Sequence, residues 1–212
     1  MLIGFTIIVA LFSWNIPLLQ YQQPQIVVQA SINASTSLLG LNEDEKLYDN
    51  STYGLNMTYF NNWTQANKSS VNVLNQQINQ SFPDQDIQFL TYFFPNATSA
   101  FPTLANETSS TLAGLTVTNA TRYNASLSKY INEVGKTINN IGGQEVKTFK
   151  SALAGNLAEG IEYTADNLTK TTNISTLKDD LIYTFVYAAP VSSYNMTLPI
   201  VQDMKDSLSF SR

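Results

Sequence analysis

Thirteen asparagines of this chain stand in Asn-X-Ser/Thr sequons. Any of them that carries a glycan must face solvent, so the set constrains what the chain can bury. They are Asn33, Asn50, Asn56, Asn62, Asn67, Asn79, Asn96, Asn106, Asn119, Asn124, Asn167, Asn173 and Asn195, and none has proline in the middle position. With 22 Asn and 42 Ser or Thr among 212 residues, random placement gives about four sequons. An excess of this size points to an extracellular or cell-surface glycoprotein with covalent N-glycans.

Charged residues are only 13% of the chain, about half the usual share, and polar amides and hydroxyls do the solubilising. The net charge of −5 leaves no basic footprint for nucleic acid. There is no Cys and no His. Disulfides, thiolate or imidazole metal sites and histidine-based triads are therefore excluded. No phosphate-binding glycine loop, nucleophile elbow or metalloprotease motif is present. The expectation is no enzyme, no catalytic residue, no metal and no cofactor.

Residues Met1 to Phe12 are apolar but for Thr6, and the run loosens through Leu19. About 19 residues approach the length that spans a bilayer. Residues 1–19 read as a hydrophobic N-terminal segment. It serves as a membrane anchor, as a filament-core helix, or as a secretory signal cleaved near Val28–Ala30. Residues 20–31 read as a linker into an extended piece, and 32–212 as the glycosylated extracytoplasmic domain.

Periodicity predicts the elements of that domain. Met57, Phe60, Trp63, Val71, Leu74 and Ile78 predict an amphipathic helix ending at Pro83. Residues 87–94 suit a short helix or a buried strand, and 96–126 loops and short elements. Leu127, Ile131, Val134, Ile138 and Ile141 predict a helix capped by Ser126 or Ser128 and ended by Gly142-Gly143. Val146, Phe149, Leu153, Leu157, Ile161 and Leu168 predict a second helix, making an antiparallel helical hairpin over about 127–170. Residues 181–201 favour β structure, either a hairpin or an apolar strand meant for another subunit. The expected fold is α-rich or α+β.

The remaining candidates for chemistry are weak pairs: Asp84 with Asp86, Asp179 with Asp180, and Asp203 with Asp206. Each reads more naturally as a solvated or helix-start pattern. The cluster Tyr53, Tyr59, Phe60 and Trp63 is the best candidate for an exposed aromatic platform.

A low-charge, sequon-dense domain behind MLIGFTIIVALF resembles archaeal cell-surface proteins of acid-loving organisms, and among them a pilin or filament subunit. That resemblance implies a non-enzymatic structural component of a cell-surface filament or surface layer. It implies a homo-oligomer or polymer assembled through apolar segments, with 1–19 in the membrane or filament core. Two alternatives stay open: a virion envelope or coat glycoprotein of an archaeal virus, and an extracytoplasmic ligand-binding or sensor module.

Overall fold

The computed structural model describes residues 44–81, 86–96, 111–165 and 167–211. The segment 1–19, the linker 20–31 and the sequons Asn33 and Asn106 lie outside the described residues.

Among the described residues the chain forms ten strands and three α-helices. The strands are β1 (Glu45–Asn50), β2 (Leu55–Phe60), β3 (Trp63–Gln65), β4 (Ile87–Pro95), β5 (Leu112–Asn119), β6 (Gln144–Leu153), β7 (Asn156–Ala165), β8 (Thr169–Lys178), β9 (Leu181–Pro190) and β10 (Ser209–Phe210). The helices are α1 (Lys68–Ser81), α2 (Leu127–Asn140) and α3 (Tyr194–Ser207). A 3₁₀ turn at Ala120–Tyr123 leads from β5 to α2.

Seven strands make the main antiparallel sheet, in the order β3-β4-β5-β9-β8-β7-β6. Helices α1 and α2 pack on one face, where Ile78 meets Phe89 and Val186, and Tyr130 meets Ile161 and Ile182. The other face is covered by α3 and a small antiparallel sheet, β1-β2-β10. Burial on both faces explains β9, where every residue from Ile182 to Ala189 is buried.

Two-residue turns set the register of the main sheet. Asp179 and Asp180 both take positive φ between β8 and β9, and Ala154 and Gly155 do so between β6 and β7. Paired positive φ is the primed-turn geometry whose twist matches antiparallel strands.

Side-chain hydrogen bonds fasten the outer layers to the sheet. The Asn75 amide on α1 donates to the Phe89 carbonyl at 2.9 Å and accepts from the Phe89 N–H at 2.8 Å. This bidentate contact sits beside the β-bulge between Phe89 and Thr91. Ser207 Oγ, near the end of α3, accepts from Thr58 N–H at 2.9 Å and donates to the Met204 carbonyl at 2.7 Å.

The α-rich expectation is corrected: the described chain is dominated by strand. The helix at 127–140 forms as the spacing predicts, with Ser126 Oγ accepting from Lys129 N–H at 3.3 Å. The second half of the helical hairpin does not form. Residues 144–178 are instead the strands β6, β7 and β8. The backbone takes positive φ at Ala154 and Gly155 and turns the chain back, which splits the apparent helical stripe; Gly155 does so freely, while Ala154 is held there against its Cβ. Leu157 and Leu168, expected on an inner face, are 91% and 70% exposed. The helix expected from Met57 starts at Lys68, and Met57, Phe60 and Trp63 belong to β2 and β3. Asn67 begins that helix, its Oδ1 accepting from Ser70 N–H at 2.8 Å. Residues 112–119, expected among loops, are a strand beside the centre of the sheet. The apolar strand at 181–190 pairs with β5 and β8 of its own chain, and α3 follows it in place of a hairpin partner.

Candidate functional site

Eleven of the thirteen sequon asparagines fall among the described residues. Asn62, Asn67, Asn79, Asn119, Asn124, Asn167 and Asn195 are exposed, and Asn50, Asn56 and Asn96 are half-buried. Most stand at the ends of elements, where turns seat them. Asn124 and Asn167 take φ of 53° and 57°, a left-handed backbone that asparagine tolerates better than most residues. At Asn67 and Asn119 the Oδ1 atom caps a helical turn, accepting at 2.8 Å from Ser70 N–H and at 2.9 Å from Thr121 N–H. The Nδ2 atom is the one that carries a glycan, so capping and modification do not compete.

Asn173 is the exception, at 2% exposure. It lies on β8, opposite Val186 of β9 and Ile161 of β7, and faces the layer of α1 and α2. Around it the sheet face carries buried Thr171, Ser175, Thr184 and Tyr163. Ser175 and Thr184 share a 2.9 Å hydrogen bond, and burial pushes the Tyr163 hydroxyl well above its ordinary range. A glycan on Asn173 would require lifting the helical layer off the sheet.

A second feature is a cleft of about 210 Å³ between α3 and the outer face of β6–β9. It lies below the roughly 300–1,000 Å³ of ordinary small-molecule sites. Phe149 of β6 forms one wall, its ring laid on Gly160 so closely that an added Cβ would come within 2.2 Å of Cζ. Leu198 and Val201 of α3 form the facing wall. The polar floor is a connected set. Lys170 Nζ pairs with Glu162 Oε1 at 2.9 Å and stands 4.7 Å from the centre of the Tyr194 ring. The Tyr194 hydroxyl donates to Glu162 Oε2 at 3.3 Å and shares a 2.5 Å hydrogen bond with Thr172 Oγ1. Burial first, and the Glu162 charge with it, push the Tyr194 hydroxyl up to about 12. The Tyr187 hydroxyl donates to the Tyr194 carbonyl at 2.8 Å and so ties the start of α3 to β9.

The other sequence candidates do not converge. Asp179 and Asp180 form the β8–β9 turn rather than a helix start. Asp203 and Asp206 lie on the exposed face of α3, with Asp206 paired to Lys205 at 2.6 Å. Asp86 is exposed, and Asp84 lies outside the described residues. The aromatic cluster forms no exposed platform: Trp63 is fully buried, Tyr59 packs on Phe93 with ring centres 4.7 Å apart, and Tyr53 and Phe60 are half-buried against the same core. The cleft residues Phe149, Glu162, Thr172 and Tyr194 escaped sequence reasoning, since 145–168 reads as a helix that places none of them together. Among the described residues, no cluster of His, Cys, Asp or Glu fits a metal ion.

No protein-family profile and no curated protein matches the sequence. Among solved structures, the chain is similar to the cyanobacterial PsbP protein of Synechocystis sp. PCC 6803. The TM-score is 0.50 and the identity 12%, over 79% of this chain and 92% of that one. It is also matched to LpqN of Mycobacterium tuberculosis, described as involved in cell envelope biogenesis. There the TM-score is 0.49 and the identity 9%, over 81% of this chain and 93% of that one. At such identities the PsbP likeness speaks for the fold alone, and the LpqN score is too low to carry an argument.

Proposed function

We propose that this chain is a non-enzymatic, N-glycosylated structural protein of a cell surface, assembled into a filament or surface layer. The observation that supports this reading is the placement of the sequons. Ten of the eleven described sequon asparagines are exposed or half-buried, and their glycans would leave the core untouched. A chain that meets an oligosaccharyltransferase lies outside the cytoplasm, so the reading includes an extracytoplasmic location. The cleft favours a structural role over acid–base hydrolysis. Glu162 is the one carboxylate among its lining residues, and Lys170 and Tyr194 already engage it. Glycoside hydrolysis of the usual kind requires two facing carboxyl groups.

Glycopeptide mapping of native material, together with electron microscopy, tests the reading. Glycans are expected at most of the ten accessible sites, with Asn173 bare, and regular assemblies are expected without detergent. Bare asparagine at most accessible sites would remove the glycoprotein reading. Dispersed monomers would remove the filament or layer.

A further inference from the structure

Strands β3 and β4 present their side chains alternately to the two faces of the sheet. Trp63 and Phe93 point into the core beneath the small sheet. Thr64 and Phe94, paired opposite one another, therefore lie on the other face, and both are exposed. One step further the Asn96 N–H donates to the Asn62 carbonyl at 2.8 Å, so the pairing continues past the strand ends and sets Asn62 opposite Asn96. Asn62, Thr64, Phe94 and Asn96 thus share one patch of surface. Two of the four are sequon asparagines, and a third is an aromatic ring.

Phe94 is 38% exposed. Tyr92, next along the same face, flanks it with ring centres 6.3 Å apart and is itself tucked against the cluster beneath α1. The two asparagines beside Phe94 are held differently. Asn96 is half-buried, its Oδ1 accepting from Thr64 Oγ1 and its Nδ2 donating to the Asn61 carbonyl at 3.2 Å. The nitrogen that would carry a sugar is already directed at the backbone. Asn62 is exposed and stands diagonally across from Phe94. Diagonal positions on paired strands are about 7–8 Å apart. An asparagine side chain with one sugar ring attached covers that distance.

We propose that the first sugar of an N-glycan on Asn62 lies on the ring of Phe94. The tether fixes the occupant: a sugar bonded to the neighbouring residue is held at high effective concentration over the ring. The C–H face of a pyranose is apolar and weakly positive, and it matches the electron-rich face of an aromatic ring. The sugar hydroxyls stay in water, so the contact covers apolar surface and strands no polar group. The proposal rests on the glycoprotein reading above and gives one of its glycans a seat on the protein.

A cycle of variants in the full glycosylated chain tests the contact. N62Q removes the acceptor and leaves Thr64 in place, and F94A removes the ring. N62Q is expected to lower the thermal midpoint by about 2–4 °C when Phe94 is present and to leave it unchanged in the F94A background. Circular dichroism checks the fold of each variant. Nuclear magnetic resonance of the unmutated glycoprotein gives a reading that needs no variant: protons of the sugar on Asn62 are expected to move upfield and to cross-relax with the Phe94 ring. Additive midpoint shifts, no such cross-relaxation, or the same coupling with N96Q in place of N62Q would overturn the contact. A bare Asn62 in material whose other sequons are occupied would overturn it too and leave the glycoprotein reading standing. Bare asparagine at every sequon would remove both.

Discussion

At the scale of single residues, Tyr194 concentrates the most consequences. Its hydroxyl joins Glu162 on β7 to Thr172 on β8, and its carbonyl accepts from Tyr187 on β9. Tyr194→Phe keeps the ring contacts and leaves Glu162 and Thr172 short of one partner. The expected loss is about 2 kcal/mol in denaturant unfolding, typical of a hydrogen bond to a charged group. The hydroxyl ionises at about 12 in the folded protein, above the ordinary tyrosine value of 10, chiefly because it is buried. A raised value means that folding favours the neutral form. The contribution is therefore complete below pH 10 and is lost as pH rises from 10 towards 12. Unfolding measured across that range should fall less steeply in Tyr194→Phe than in the parent. Identical slopes would place the alkaline sensitivity on Tyr130, Tyr163 and Tyr187, whose hydroxyls burial also raises.

Among the elements, α1 shows how a polar helix is held. Its apolar positions Val71, Leu74 and Ile78 bury only a narrow stripe, so packing alone fastens it weakly. The Asn75 amide supplies the rest by satisfying both backbone groups of Phe89. Asn75→Ala strands a donor and an acceptor in a half-buried place. The expected cost is about 2 kcal/mol, measured by thermal or denaturant unfolding. Asn75→Asp separates the two halves of the contact, because a carboxylate still accepts from the Phe89 N–H but repels its carbonyl. It should fall between the parent and Asn75→Ala, and a loss equal to that of Asn75→Ala would show that repulsion of the Phe89 carbonyl cancels the bond accepted from its N–H. Helix α2 is built differently, with five buried side chains along its inner face and a serine cap.

For the whole molecule, the accessible sequons and the core occupy separate territory. The three buried clusters contain no sequon asparagine, and Asn173 is buried among polar neighbours. Residues 44–212 made without glycosylation should therefore fold, and their far-ultraviolet circular dichroism should be dominated by strand. A helix-dominated spectrum would contradict the seven-stranded sheet. An unfolded product would mean that glycans, or the residues before Asp44, are needed to complete the core.

How much of this was legible in the chain itself divides along the range of the interactions involved. The helix at 127–140 was legible because its signals are local. Apolar residues at 4-3-4-3 spacing, a serine before them and two glycines after them lie within one short window. The accessibility of most sequons was legible too, since asparagine beside serine or threonine favours turns and element ends. The strands β6–β8 were not. Val146, Phe149, Leu153, Leu157 and Ile161 fit a helical stripe as well as they fit strands, and the choice rests on the pairing of β6 with β7 and of β7 with β8, which periodicity along one strand does not register. The cleft and the bare Asn173 belong to the same class. Phe149, Glu162, Thr172 and Tyr194 meet only when four strands and a helix have assembled, and Asn173 is buried only because helices cover that face of the sheet. Local periodicity and turn chemistry determined one helix and a solvent-facing set of sequons. Strand pairing decided the sheet and the cleft, locally through the hairpins from β6 to β9 and over a long separation where β5 meets β9, because each depends on partners that lie side by side only in the folded chain.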